Sequence, residues 1–259
     1  MKKKISFLIP SSKGQDCIQK TIDSINSLNF FGNTYEIAVF SKNKIIGDNV
    51  VWFEEKHFTG GPVYGYNFLA QNTNSEYLFI LNDDSLLPNN NTIKLAFDEM
   101  NKMRSENKKL LITGFSDRGY PCILTPGEGD RMGSMLKIPI NIPRFPVARW
   151  PIIARETYEK YLDNHVWHPE HRYCSVDNWL GWWMGLFGEP YHEISEAYLI
   201  THTKHEPSKI ARENTIIDCN TSYILFLNMF YNICSDYVHP EHSVYNRSPN
   251  PRKEWSEFK

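Results

Sequence analysis

Residues 77–85 read Tyr77-Leu78-Phe79-Ile80-Leu81-Asn82-Asp83-Asp84-Ser85. This stretch decides the fold class. The apolar run Tyr77–Leu81 has the length of a buried strand rather than of a helix. A strand apolar on both faces belongs inside a parallel sheet that helices cover on both sides. The polar cluster follows at once, at the strand's carboxyl end, where ligands of open parallel sheets collect. Asp83 and Asp84 side by side repel each other and call for a compensating cation. Mg²⁺ and Mn²⁺ take oxygen ligands and share them with substrate phosphates. One or two carboxylates with a divalent ion and a diphosphate is therefore the arrangement this stretch points to. The plainer alternative is that the acids cap the next helix or form a turn ahead of Pro88.

Working outward, strands and helices alternate. Ile5–Ile9 predicts a strand stopped by Pro10, then a polar turn Ser11-Ser12-Lys13-Gly14. Asp16 is the expected cap of a helix with Ile18, Ile22, Ile25 and Leu28 on one face. Tyr35–Phe40 and Val50–Phe53 are the second and third strands, and Gly60-Gly61-Pro62 opens a second helix through Asn72. After the acids come a helix from about Thr92 to Ser105 and a fifth strand, Leu110–Thr113. This order implies a mostly parallel sheet with helices on both faces. Beyond Gly114 the pattern changes. Residues 115–150, rich in Gly, Pro and Arg, predict hairpins and loops that cover a site. Helices are expected over Thr157–Leu162, Cys174–Phe187 and Asn220–Ser235, and a strand over Tyr198–His202.

Composition excludes several classes. At 41% hydrophobic and 22% charged residues, the 259-residue chain has an ordinary globular make-up. A formal charge of −2 provides no basic field for nucleic acid. Cys17, Cys122, Cys174, Cys219 and Cys234 form no CxxC pair, so neither a zinc knuckle nor a disulfide framework is indicated, and a reducing, cytoplasmic setting is expected. Lys2–Lys4 resembles the start of a signal peptide, but the apolar run to Pro10 is too short for one. No run reaches the length of a membrane span. Tyr223–Ile233 is the strongest apolar stretch, interrupted by Asn228 and Asn232. It leaves open core packing, a homodimer, or peripheral membrane contact through 221–259.

Three segments carry a family resemblance. The strand, Pro10-Ser11-Ser12 turn and helix over Ile5–Ile25, the segment Gly60-Gly61-Pro62-Val63-Tyr64-Gly65-Tyr66-Asn67, and Tyr77–Leu87 resemble family 2 glycosyltransferases. The resemblance spans roughly 4–210 and is clearest over 4–30 and 60–90. It implies a GT-A fold: a Rossmann-like, mostly parallel sheet with a small hairpin and loop region for the acceptor. It implies one domain over 1–235, with a nucleotide-sugar half (1–114), an acceptor half (115–235) and a tail over 236–259. The implied cofactor is Mn²⁺ or Mg²⁺, and the implied donor a nucleoside-diphosphate sugar. Pro10, Ser11, Ser12, Ser41, Gly61 and Asn67 fall at donor-binding positions. Asn82 stands for the first Asp of the Asp-x-Asp motif, which leaves Asp84 as metal ligand and Asn82 or Asp83 facing the ribose or the metal shell. At Ser41 many members carry an Asp that reads the nucleobase, so the base stays open.

Sugar transfer to a hydroxyl also needs a general base. Asp177, in Tyr173-Cys174-Ser175-Val176-Asp177-Asn178-Trp179, is the candidate; the family has an acidic pair there, whose first member is Val176 here. The alternative is a helix-start acid favoured by the dipole, with a pKa lowered by it. Trp179, Trp182 and Trp183 share one helix and offer either a stacking platform for the acceptor or core packing. His202, with His205 second, is a candidate metal ligand after its strand, against an ordinary hydrogen-bonded histidine. His165, His168, His171 and His192 lack metal-type spacing. Of Arg118, Arg131, Arg144 and Arg149, the last directly precedes the segment expected to approach the acceptor.

The leading reading is an inverting, metal-dependent glycosyltransferase acting in glycan or polysaccharide synthesis. A nucleotidyltransferase is the first alternative, although the loop Pro10–Gly14 has a single Gly and a single Lys where such enzymes are Gly-rich and basic. A non-catalytic carbohydrate-binding protein on a degenerate fold is the second; Asn82, Ser41 and Val176 are the substitutions favouring it.

Overall fold

The computed structural model describes residues 3–56, 61–117, 123–124, 145–173, 176–202, 217–218 and 221. Its elements are, in chain order, β1 (Lys3–Ser11), α1 (Gln15–Asn26), β2 (Tyr35–Ser41), β3 (Val50–Glu54), α2 (Pro62–Asn72), β4 (Ser75–Ile80), β5 (Ser85–Leu86) and α3 (Thr92–Ser105). They continue with β6 (Ile112–Asp117), β7 (Ile123–Leu124), β8 (Phe145–Pro146), β9 (Pro151–Ala154), α4 (Arg155–Tyr161), α5 (Val176–Leu186) and β10 (Glu193–Thr201).

Alternation along β1 sorts the core into two layers. Ile5, Phe7 and Ile9 join α1 and α3 in one apolar cluster, through Ile18, Ile22, Ile93 and Met100 among others. Leu8, on the opposite face, joins α2, α4 and α5 in a second cluster with Leu69, Tyr158 and Trp183. Each helix buries its apolar stripe against one side of a single sheet, as helices covering both faces of a sheet must.

That sheet has the order β3-β2-β1-β4-β9-β6-β10-β5. Strands β3, β2, β1 and β4 run parallel, as do β6 and β10. The mostly parallel α/β architecture thus agrees with the alternation of elements in the sequence. Two antiparallel pieces were not legible there. β9 inserts between β4 and β6, and two-residue β5 pairs with the end of β10.

Local expectations are corrected in three places. Pro10 does not stop β1, because the pairing with β4 ends at Leu8↔Ile80, so its missing N–H is not needed on that side, while Pro10↔Phe40 and Ser11↔Ser41 continue the register with β2. Asp16 is not a cap: extended Gly14 takes that position, and Asp16 lies in the first turn, where the helix dipole favours an acid. The strand expected from Leu110 begins instead at Ile112, because the Leu110 and Leu111 N–H groups donate to the Glu189 carboxylate (2.7 Å) and Thr157 Oγ1 (3.0 Å). Arg118, Arg131, Arg144, His205, the tail and, Thr221 apart, the helix expected over Asn220–Ser235 lie outside the described residues. Among the described residues no helix is long and apolar enough to cross a membrane.

The β6–β9 seam leaves no room for a side chain at Gly114. A Cβ there would overlap the Trp150 carbonyl and the Tyr191 hydroxyl. Gly114→Ala is expected to cost about 2–3 kcal/mol by overpacking, read as a lowered urea midpoint at unchanged slope.

Candidate active site

The chain winds from β1 outward to β2 and β3, then returns to place β4 on the other side of β1. Strand order reverses between β1 and β4, and a crevice forms at their carboxyl ends. Ser11 ends β1, and Asn82, Asp83 and Asp84 form the turn after β4. The Leu81 N–H still donates to the Leu8 carbonyl at 3.2 Å, and the Asn82 N–H donates to Ser85 Oγ at 3.2 Å.

The two acids are nearly inaccessible, Asp83 at 7% and Asp84 at 3%. Buried carboxylates require partners. Ser11 Oγ donates to Asp83 Oδ2 at 2.8 Å, and Thr21 Oγ1 donates to the Asp83 carbonyl at 2.9 Å. Lys13 Nζ lies 2.8 Å from Asp83 Oδ1 and 3.0 Å from Asp84 Oδ2, so one ammonium bridges both side chains. Burial alone would lower the Lys13 pKa; the hydrogen bonds and charges of Asp83 and Asp84 outweigh it and raise the pKa. The turn alternative describes their backbone, with the Ser85 N–H donating to the Asn82 carbonyl at 3.3 Å, whereas the cap alternative does not, because α3 begins only at Thr92; the side chains form a charged pair facing the β1–α1 loop.

Asn82 is fixed separately. The Tyr66 hydroxyl lies 2.7 Å from Asn82 Oδ1 and 3.0 Å from the Leu81 carbonyl. Burial, then the charges of Asp83 and Asp84, push the Tyr66 pKa far up, so it stays a phenol and a donor. On the other flank the His202 N–H donates to the Asp84 carbonyl at 3.0 Å, one step beyond the Thr201↔Ser85 pair. His202 Nε2 is buried and has no hydrogen-bond partner among the described residues. Among the described residues no three His, Cys, Asp or Glu side chains are arranged to hold a cation. The donor set nevertheless fits Mn²⁺ or Mg²⁺. Two carboxylates already share one ammonium, and these ions take their remaining ligands from substrate phosphates and water.

Of the other donor-site candidates, Pro10 lies in β1 just before Ser11 and is half-buried, and Ser12 opens the β1–α1 loop and is exposed. Three are spent on structure. Ser41 is buried; its hydroxyl donates to the Asn43 carbonyl (2.7 Å) and accepts from Trp52 Nε1 (3.1 Å). Asn67 ties α2 to a later loop, donating to the Trp167 carbonyl (2.9 Å) and accepting its N–H (3.0 Å). Gly61 has φ +121° and lies against the Arg172 carbonyl, a conformation and a clearance that only glycine offers. The same Arg172 and its neighbour Tyr173 donate their N–H groups to the buried Asp218 carboxylate, at 3.1 and 2.6 Å.

Asp177 lies in the first turn of α5, and the Asn178 N–H donates to its Oδ1 at 3.0 Å. The Asp177 carbonyl accepts the Ala148 N–H at 3.0 Å, which clamps the segment before Arg149 onto the helix start. Burial raises the Asp177 pKa; the Asn178 N–H and the Arg149 charge oppose it without cancelling it. The alternative of a helix-start acid fits Asp177's place in the first turn of α5, but its carboxyl pKa goes up rather than down, because of burial. The structure brings Asp177 and Arg149 together. It removes the tryptophan platform, because Trp179, Trp182 and Trp183 are each 1% exposed and packed in the core.

Lys13 and Tyr66 were missed as site residues. Lys13 had a signal: it is the one cation of the segment Pro10–Gly14, in the loop directly after the strand that pairs with the acid-bearing one. Tyr66 had none.

No family model matches this sequence, and no curated protein matches it. Solved structures do match. Mannosyltransferase PcManGT from Pyrobaculum calidifontis, in complex with GDP-Man and Mn²⁺, superposes with a TM-score of 0.60 at 11% identity, over 86% of this chain and 65% of that one. The chain has the GT-A fold. TarS of S. aureus with UDP-GlcNAc matches at TM-score 0.54 and 13% identity, over 88% of this chain and 73% of that one. Glucosyl-3-phosphoglycerate synthase from Mycobacterium tuberculosis, with Mn²⁺, UDP and phosphoglyceric acid, matches at 0.52 and 13%, over 87% and 77%. This GT-A chain therefore spans about two thirds of the length of PcManGT.

Proposed function

We propose that this chain is a divalent-metal-dependent glycosyltransferase that moves a sugar from a nucleoside-diphosphate sugar to an acceptor hydroxyl with inversion, in glycan or polysaccharide synthesis. The buried Asp83–Asp84 pair, already bridged by a cation at the switch point of a GT-A sheet, carries the reading. The nucleotides and Mn²⁺ bound in PcManGT and in the M. tuberculosis synthase support it.

Asp84 and Asp83 would hold Mn²⁺ or Mg²⁺, with His202 as a further ligand. When bound, such an ion neutralises the departing diphosphate. Tyr66 holds Asn82 in one orientation, toward the ribose or the metal shell. Ser11 keeps Asp83 in place. Asp177 takes the proton of the acceptor hydroxyl. The acceptor oxygen then bonds to the anomeric carbon from the face opposite the diphosphate, which leaves with the electron pair of the broken bond. Arg149, beside Asp177, keeps that carboxylate more acidic than burial alone would. The widely spaced cysteines fit a cytoplasmic setting. Residues 221–259 are the segment to test for homodimer or peripheral membrane contact.

The test is product analysis with purified protein, Mn²⁺, UDP- and GDP-sugars and a panel of glycan acceptors. Released nucleoside diphosphate is expected. Released pyrophosphate would mean a nucleotidyltransferase, and metal-dependent binding without turnover a non-catalytic binder.

A further inference from the structure

Nothing in the transfer scheme above requires Lys13, yet its ammonium lies 2.8 Å from Asp83 and 3.0 Å from Asp84. Its ammonium touches both carboxylates on which a divalent ion would depend. Its backbone is held: the Lys13 N–H donates to Ser11 Oγ at 3.2 Å, and Ser11 in turn holds Asp83. Its neighbours Ser12 and Gly14 are exposed, and the Lys13 side chain itself remains 23% accessible. The head group therefore has an open way out on a flexible four-carbon stem while the loop stays in place. A lysine ammonium is also a common ligand of phosphate oxygens.

A bare divalent ion entering this site must displace an ammonium from the same oxygens. An ion arriving with a diphosphate brings the displaced ammonium a new anionic partner. We propose that Lys13 is a displaceable internal counter-ion: it neutralises Asp83 and Asp84 in the empty site, competes with bare divalent ion, and transfers to the donor's diphosphate when ion and nucleotide enter together. This rests on the metal reading of Asp84. The consequence is a positive coupling between divalent ion and nucleoside diphosphate, imposed by one side chain.

The experiment is titration of the intact chain with Mn²⁺, followed by electron paramagnetic resonance, without nucleotide and with UDP or GDP in separate arms. In the parent, bare Mn²⁺ binds weakly and either nucleotide that fits tightens it. Lys13→Met is expected to bind bare Mn²⁺ about tenfold tighter and to lose most of the coupling, within the range typical of linked sites. Lys13→Gln serves as a second uncharged variant should the first fold poorly, and Lys13→Arg is expected to keep the competition. Bare Mn²⁺ affinity unchanged or weakened in both uncharged variants overturns the proposal. Asp84→Asn separates the two claims. If it leaves Mn²⁺ binding intact, the metal site itself is misplaced; if it abolishes binding while the Lys13 variants match the parent, only the counter-ion role falls.

Discussion

Asp84→Asn is expected to lower nucleotide-sugar turnover about a thousandfold, the equivalent of about 4 kcal/mol of lost transition-state stabilisation. The substitution keeps shape and removes one of two negative charges. Asp84 is 3% exposed, and its side chain contacts Lys13, while the bond that holds the backbone comes from the His202 N–H to the Asp84 carbonyl, which the change does not touch. The fold is therefore expected to survive, with an unchanged circular dichroism spectrum and a similar thermal midpoint. Asp83 would keep its bonds to Ser11 and Lys13, so residual metal binding at raised Mn²⁺ is expected, with partial recovery of rate. Turnover within a few-fold of the parent at low Mn²⁺ would show that the ion does not depend on Asp84.

Asp177→Asn is expected to lower kcat by about a hundred- to ten-thousandfold, the usual range for loss of a general base. What distinguishes a base from a structural acid here is the sign of the stability change. Burial holds the Asp177 pKa above its ordinary value. A carboxyl with a raised folded pKa contributes stability that is complete below its unfolded pKa and is lost as pH rises through the folded one. Asparagine, neutral throughout, does not suffer that loss. The variant should be as stable as the parent at neutral pH or more so, with the difference shrinking as pH falls toward the ordinary Asp range. The activity profile runs the other way. A base works ionised, so with Asp177 in that role kcat/KM of the parent is expected to climb on an acidic limb placed above the ordinary carboxylate range, and Asp177→Asn is expected to remove that limb. A variant that is inactive and also markedly less stable at neutral pH would mean that Asp177 acts through the clamp on Ala148 instead.

The sequence carried the donor half well for physical reasons. Tyr77–Leu81 is apolar throughout because β4 is covered on both faces, and such a run has one natural environment. Thr92–Ser105 was legible to the residue, since amphipathic periodicity is a local property. The later half was less legible. β9 is four residues long and pairs antiparallel with strands that are distant in the chain, so no local period marks it. The tryptophans of α5 illustrate the same limit: spacing put them on one helix, but whether that face met sugar or core depended on what packs against it.

By itself, the sequence determined the alternation of strands and helices, the two-sided burial of β4 and the position of two acids at its carboxyl end, because these follow from short-range pattern and strand topology. Only the tertiary structure decided which groups meet those acids. Lys13 and Ser11 reach them from β1 and its loop, Tyr66 fixes Asn82 from α2, His202 closes against Asp84 from β10, and Arg149 stands by Asp177. These partners are far apart in the chain, and charge pairing is a matter of distance in space, which strand order sets and local sequence does not.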